Sequence, residues 1–114
     1  MGDVQAVFSG KSPEALATYQ ALTQALATLG PFKAEPKKTS IHLERNSAFA
    51  GVHPRKSAIL LVIRTSGPID NPRIRKRERV SANRWHNEML LSAPSEIDAE
   101  VLGWLREGYE LGGK

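Results

Sequence analysis

The segment from Pro13 to Leu29 sets the first condition on any fold for this chain, because it carries one helical stripe that needs a surface to cover. Leu16, Tyr19, Leu22, Leu26 and Leu29 recur at steps of three, three, four and three, the repeat of one α-helical face. Ser12 suits the N-cap, Pro13 suits the first helical position, and Glu14 complements the positive end of the helix dipole. Gly30 and Pro31 then stop the helix, glycine by taking a left-handed conformation and proline by barring continuation. A second stripe, Ile97, Val101, Trp104, Leu105 and Tyr109, predicts a C-terminal helix over about 96–111. Ser95 and Asp98 suggest its capping box, with Asp in place of Glu, and Gly112-Gly113 its end. Val4, Val7 and Phe8 predict a short helical turn before Gly10, too short to hold without the rest of the molecule.

Between the helices the period changes to two. Ile41 and Leu43 alternate with His42 and Glu44, a half-buried strand, and Ala48–Val52 is a second extended piece with a break expected at His53-Pro54. Ala58–Ile63 is a continuous apolar run with two β-branched members, expected to be a central strand covered on both faces. Ser66-Gly67-Pro68 and Asp70-Asn71-Pro72 carry turn chemistry, and strands over 73–80 and 85–91 would complete a mostly antiparallel meander. The expectation is an α+β fold: an N-terminal helix, a four- to six-stranded sheet and a C-terminal helix, with the helices on one sheet face. The 114 residues fit one domain over 1–114, with no repeat or linker.

With no cysteine, disulfides, thiolate metal sites and cysteine nucleophiles are excluded, which fits a reducing, cytoplasmic setting. The opening residues lack the basic and apolar regions of a signal peptide, and the longest apolar run is far below the roughly 20 residues of a membrane span. The net charge of +4 is uneven: residues 1–30 carry −1, residues 31–88 carry +8, and residues 89–114 carry −3. A basic centre between acidic ends favours anionic partners; a solvated surface is the plainer explanation.

Arg73, Arg75, Arg77 and Arg79 would project from one side of a strand about 6–7 Å apart, a track that phosphates would fit. Arginines on a solvent-facing edge strand also discourage edge-to-edge pairing, which explains the row without a ligand. Lys37-Lys38 and Arg55-Lys56 end two expected strands and would converge on one rim of a meander. Phe49 and Trp85, the available aromatics for base stacking, suit the core better. His42, His53 and His86 have no metal-site spacing, so neither a metal nor a cofactor is expected. On a strand, Arg84, His86 and Glu88 share one face, where His86 could act as an acid or base; no hydrolase, metalloprotease or phosphate-loop motif accompanies it.

The segments Phe8–Lys11, Lys37–Leu43, Ala48–Lys56, Pro72–Lys76, Ser81 with Arg84-Trp85-His86, and Asp98 to Leu105 together resemble a family of small uncharacterised bacterial domains, catalogued as a domain of unknown function. The resemblance covers nearly the whole chain. It implies that Lys38, Arg55, Lys56, Lys76, Ser81 and His86 occupy the family's characteristic polar positions, and it supplies no reaction. Arg77 and Arg79 fall outside its motifs. The order of elements is also similar to small double-wing proteins suspected of binding DNA, an analogy of shape alone.

The leading expectation is a binding domain whose basic rim, Lys38, Arg55, Lys56, Lys76 and Arg84, holds an anionic ligand, either nucleic acid backbone or a phosphorylated small molecule. The alternatives are a small enzyme with His86 as acid/base and Ser81 positioning a substrate, and a protein-interaction or oligomerisation domain that uses a bare sheet face or edge.

Overall fold

A computed structural model describes residues 4–114; Met1–Asp3, which carry part of the signal-peptide reading, lie outside the described residues. Helix α1 (Val4–Val7) and helix α2 (Pro13–Ala27) precede four strands, β1 (Lys33–Pro36), β2 (Ile41–Glu44), β3 (Ala48–Pro54) and β4 (Ile59–Thr65). Strands β5 (Lys76–Ser81) and β6 (Arg84–Leu91), a 3-10 turn at Pro94–Glu96 and helix α3 (Ala99–Gly112) complete the chain. The six strands form one antiparallel sheet in the order β1-β2-β3-β4-β6-β5, with the helices packed against one face. Among the described residues no helix is long and apolar enough to cross a membrane.

The helix signals behave as the sequence implies, with two adjustments. Ser12 Oγ accepts the Ala15 N–H at 3.3 Å, so α2 starts where its cap predicts, and it ends at Ala27, just short of Leu29. Gly30 follows with φ +142°, and a Cβ there would collide with the Tyr109 hydroxyl, which donates to Pro31 O at 2.9 Å. The C-terminal helix begins later than 96 because Asp98 is itself the N-cap: its Oδ1 accepts the Val101 N–H at 3.1 Å. Glu96 turns back instead, and its carboxylate accepts the N–H groups of Ser92 and Ala93. The expected Ser95–Asp98 capping box is therefore not formed.

The sheet departs from a simple meander after β4, where the chain crosses to the edge as β5 and returns as β6 between β4 and β5. Burial explains the order. β6 carries Asn87, Met89 and Leu91, all buried, whereas every residue of β5 is exposed. A strand reading Lys-Arg-Glu-Arg-Val-Ser has little to gain from an interior position and blunts an edge well. Its start at Lys76 leaves Arg73 and Arg75 outside the strand predicted over 73–80.

The core lies between sheet and helices. Ile41 and Leu43, Val52, Ile59, Leu61 and Ile63, Met89 and Leu91 face Leu22 and Leu26 of α2 and Val101 and Leu105 of α3. A bulge completes it: Leu43 pairs with Ala50 and Glu44 with Ala48, leaving Phe49 as the extra residue. Phe49 is fully buried, edge-on to Tyr109 at 5.6 Å. Helix α3 approaches the sheet so closely that a Cβ on Gly108 would meet the Arg64 carbonyl at 2.8 Å. The apolar run of β4 is covered by helices on one face alone. Its Leu60, Val62 and Arg64 belong to the opposite face; Leu60 is buried there, but Val62 and Arg64 are only half-buried, so the cover expected on both sides fails from Val62 onward.

Candidate functional site

The open face is hollowed, and pairing register determines what lines it. On the middle rung His42 pairs with Gly51, Gly51 with Val62, and Val62 with Glu88, so these four project together. On the next rung Arg64 pairs with His86 and His86 with Glu78. On the rung to the other side His53 pairs with Leu60. Arg84, two residues before His86, joins the same face. The result is a concavity of about 340 Å³ that takes in all three histidines of the chain. Its size falls within the range of small-molecule sites, at the small end.

Gly51 forms part of the floor. A Cβ at this position would meet nothing closer than His53 Nε2 at 3.9 Å, an ordinary contact, so the backbone does not demand glycine here. The missing side chain leaves the hollow open, although glycine within a strand costs about 0.5–1 kcal/mol relative to alanine.

The two arginines give the hollow its chemistry. Arg64 donates from Nη1 to Ser47 Oγ at 2.9 Å and to Ala48 O at 3.4 Å, while its Nε is buried without a partner. Arg84 Nε is also buried and unpartnered, and its guanidinium makes no hydrogen bond among the described residues. Burial, and then the neighbouring Arg84 charge, lower the pKa of Arg64 below its ordinary value. An unmet buried donor costs about 1–3 kcal/mol, so holding two of them beside each other is unfavourable until an acceptor arrives.

Two of the histidines, His53 and His86, have lowered pKa values. Burial lowers the pKa of His86, as does Arg84, with Glu78 pulling the other way. Burial and Arg55 lower that of His53, against the pull of Glu88. Both imidazoles therefore present a lone pair at neutral pH.

Among the residues marked by the sequence, Arg84, His86 and Glu88 do share one face, as strand alternation requires. The proposed rim does not assemble as one site. Lys38 and Arg55 with Lys56 lie in the β1–β2 and β3–β4 turns, which share one end of the sheet, as expected of Lys37-Lys38 and Arg55-Lys56. Arg84, one residue beyond the Thr65–Trp85 pair, stands at the opposite end, about 20 Å away along β4. Lys76 lies on the outer edge strand, opposite Glu88. Ser81, exposed at the end of β5, is outside the hollow.

Three of the four arginines of the row, all but Arg75, are engaged structurally. Arg73 sits in the turn before β5, its Nη1 3.0 Å from Asp98 and 3.1 Å from Glu100, with Nη2 on Glu96 O at 2.9 Å. Arg77 donates to the carbonyls of Ile69 at 2.6 Å and Asn71 at 3.1 Å, and Arg79 to Ser81 O at 3.3 Å. Of the two aromatics, Phe49 is core and Trp85 is half-buried on the helix side. Sequence reasoning missed Arg64, Gly51 and Glu78, and the signal was slight: one charge closing an apolar strand at the alternate position to Val62.

A family model described as a domain of unknown function, DUF5655, matches residues 4–112. The chain belongs to the DUF5655 family. Every residue that lines the hollow lies within the matched span. No curated protein and no solved structure matches this DUF5655 chain.

Proposed function

We propose that this DUF5655 domain is a small-molecule binding module that takes an oxyanion, a phosphorylated small molecule in particular, in the hollow of its open sheet face. The observation that carries the reading is the pair Arg64 and Arg84, each with a buried Nε–H that has no partner. Guanidinium groups recognise phosphate and carboxylate through paired donors, and a half-buried site strengthens that attraction over water. Gly51 leaves room for the ligand above the floor, and His86 stands beside both arginines as a further hydrogen-bonding group.

Nucleic acid draws less support, because the lysines and arginines that would follow a phosphate backbone are divided between opposite ends of the sheet. Catalysis by His86 with Ser81 draws less as well, since Ser81 stands outside the hollow. An interaction surface would need a broad apolar patch, and Val80 and Leu90 are the large exposed apolar residues among those described. A chain without cysteine suits the cytoplasm, the setting we propose for this binding.

Calorimetric titration with inorganic phosphate and short alkyl phosphates tests the reading. Arg84→Gln is expected to weaken binding about ten-fold, the loss of one charge-assisted contact. Lys56→Gln, at the far end, should leave affinity within about two-fold. Equal losses in the two variants would contradict the site.

A further inference from the structure

The same hollow holds carboxylates as unengaged as its arginines. Glu78 and Glu88 form no ion pair and accept no side-chain hydrogen bond among the described residues. Glu88 is half-buried, on the rung of His42, Gly51 and Val62. Its rung lies between that of His53 with Leu60 and that of His86 with Arg64. The face is therefore not simply basic: two guanidinium groups and two carboxyl groups border one concavity with no ion pair between them among the described residues. A purely anionic ligand would satisfy the arginines and meet repulsion from Glu88. A ligand with its own positive group would convert that repulsion into attraction.

We propose that the ligand is a short zwitterion, with an oxyanion held by Arg64 and Arg84, a primary ammonium held by Glu88, and a spacer of a few methylenes over Gly51 and Val62. This rests on the oxyanion reading of the same site and adds the second pole. Arg64 and Glu88 are one strand apart and two residues apart along the sheet, so their Cα atoms are about 8 Å from each other. That separation suits a short ligand. Lys76, across from Glu88 on the edge strand, brings a competing ammonium from the outer side, while the two histidines on the inner side suit the ligand's own. His42 borders the rung of Glu88, and His53 the rung beyond it, as a neutral imidazole able to accept an N–H. Glu78, across from His86 on the edge strand, is the more exposed carboxylate and lies nearer the oxyanion end.

The test compares 3-aminopropyl phosphate with n-propyl phosphate by calorimetry, two ligands of matched length that differ in the ammonium. The aminoalkyl ligand is expected to bind about ten-fold tighter, the worth of one charged hydrogen bond at a half-buried site. Glu88→Gln should remove that preference and leave the affinity for n-propyl phosphate equal or improved. The substitution is nearly isosteric and breaks no side-chain hydrogen bond or ion pair among the described residues, so the fold should tolerate it. Equal affinities for the two ligands, or a preference that survives in Glu88→Gln, would overturn the zwitterion while leaving the oxyanion reading intact. Binding of neither ligand would overturn both.

Discussion

Arg64 and Arg84 show how differently two residues of one site can be read. Arg84 was legible because Arg84, His86 and Glu88 alternate along a single segment, and strand geometry alone puts them on one face. Arg64 was not, because its meaning depends on register: it becomes a neighbour of His86 only when β6, rather than β5, pairs with β4. Gly51 was hidden for the same reason, since the floor it leaves open exists only once His42 and Val62 flank it. The proximity of the arginine to His86 has a titratable consequence. Arg84→Gln removes a positive charge that disfavours the imidazolium, so the His86 pKa should rise toward its ordinary value near 6.5. An NMR titration of the imidazole checks this, and an unchanged or lower pKa would place Arg84 away from His86. The sign for stability follows. Depressed values for His53 and His86 mean the unfolded chain takes up protons first, so their contribution falls as the pH drops from about 6.5 toward the folded values.

At the scale of elements, both main helices could be read from their stripes and stops, and their exact starts depended on which side chain captured the first free N–H groups. Ser12 did so for α2. For α3 the expected cap was Ser95 with Asp98 as its box partner; Asp98 is itself the cap, and Glu96 turns back to accept the N–H groups of Ser92 and Ala93. The Val101 N–H and the Arg73 guanidinium hold the Asp98 carboxyl below the usual carboxylate value. Asp98→Ala should therefore lower stability at pH 7 by about 1 kcal/mol, the ordinary worth of a cap, while Ser95→Ala changes little. A depressed folded pKa stabilises above the unfolded value near 4 and is lost as the pH falls through the folded one, so the deficit should close in acid. Urea unfolding at neutral and acidic pH measures it. A deficit equal at both would point to packing rather than to the charged cap.

For the whole molecule, composition and periodicity were enough to expect helices at both ends and an antiparallel sheet between them, but not the order of strands. That order is set by which strand can afford exposure, and β5, with four charges in six residues, goes to the edge while β6 fills the interior. The exchange moves Arg84 to the end opposite Lys38, Arg55 and Lys56, and so turns an expected basic rim into two separate features. It also sets His86 and Glu88 beside the outward residues of β4, and this creates the hollow. Function on this account belongs to the uncovered side of the sheet, and the helices serve to hold it in shape.

The most direct measurement of that claim is backbone amide NMR with rising inorganic phosphate. The account predicts shifts concentrated at Ala48–Gly51, Val62–Arg64 and Arg84–Glu88, with the turns at Lys38 and Lys56 unmoved. Shifts centred on those two turns, or spread evenly over the basic surface, would contradict it.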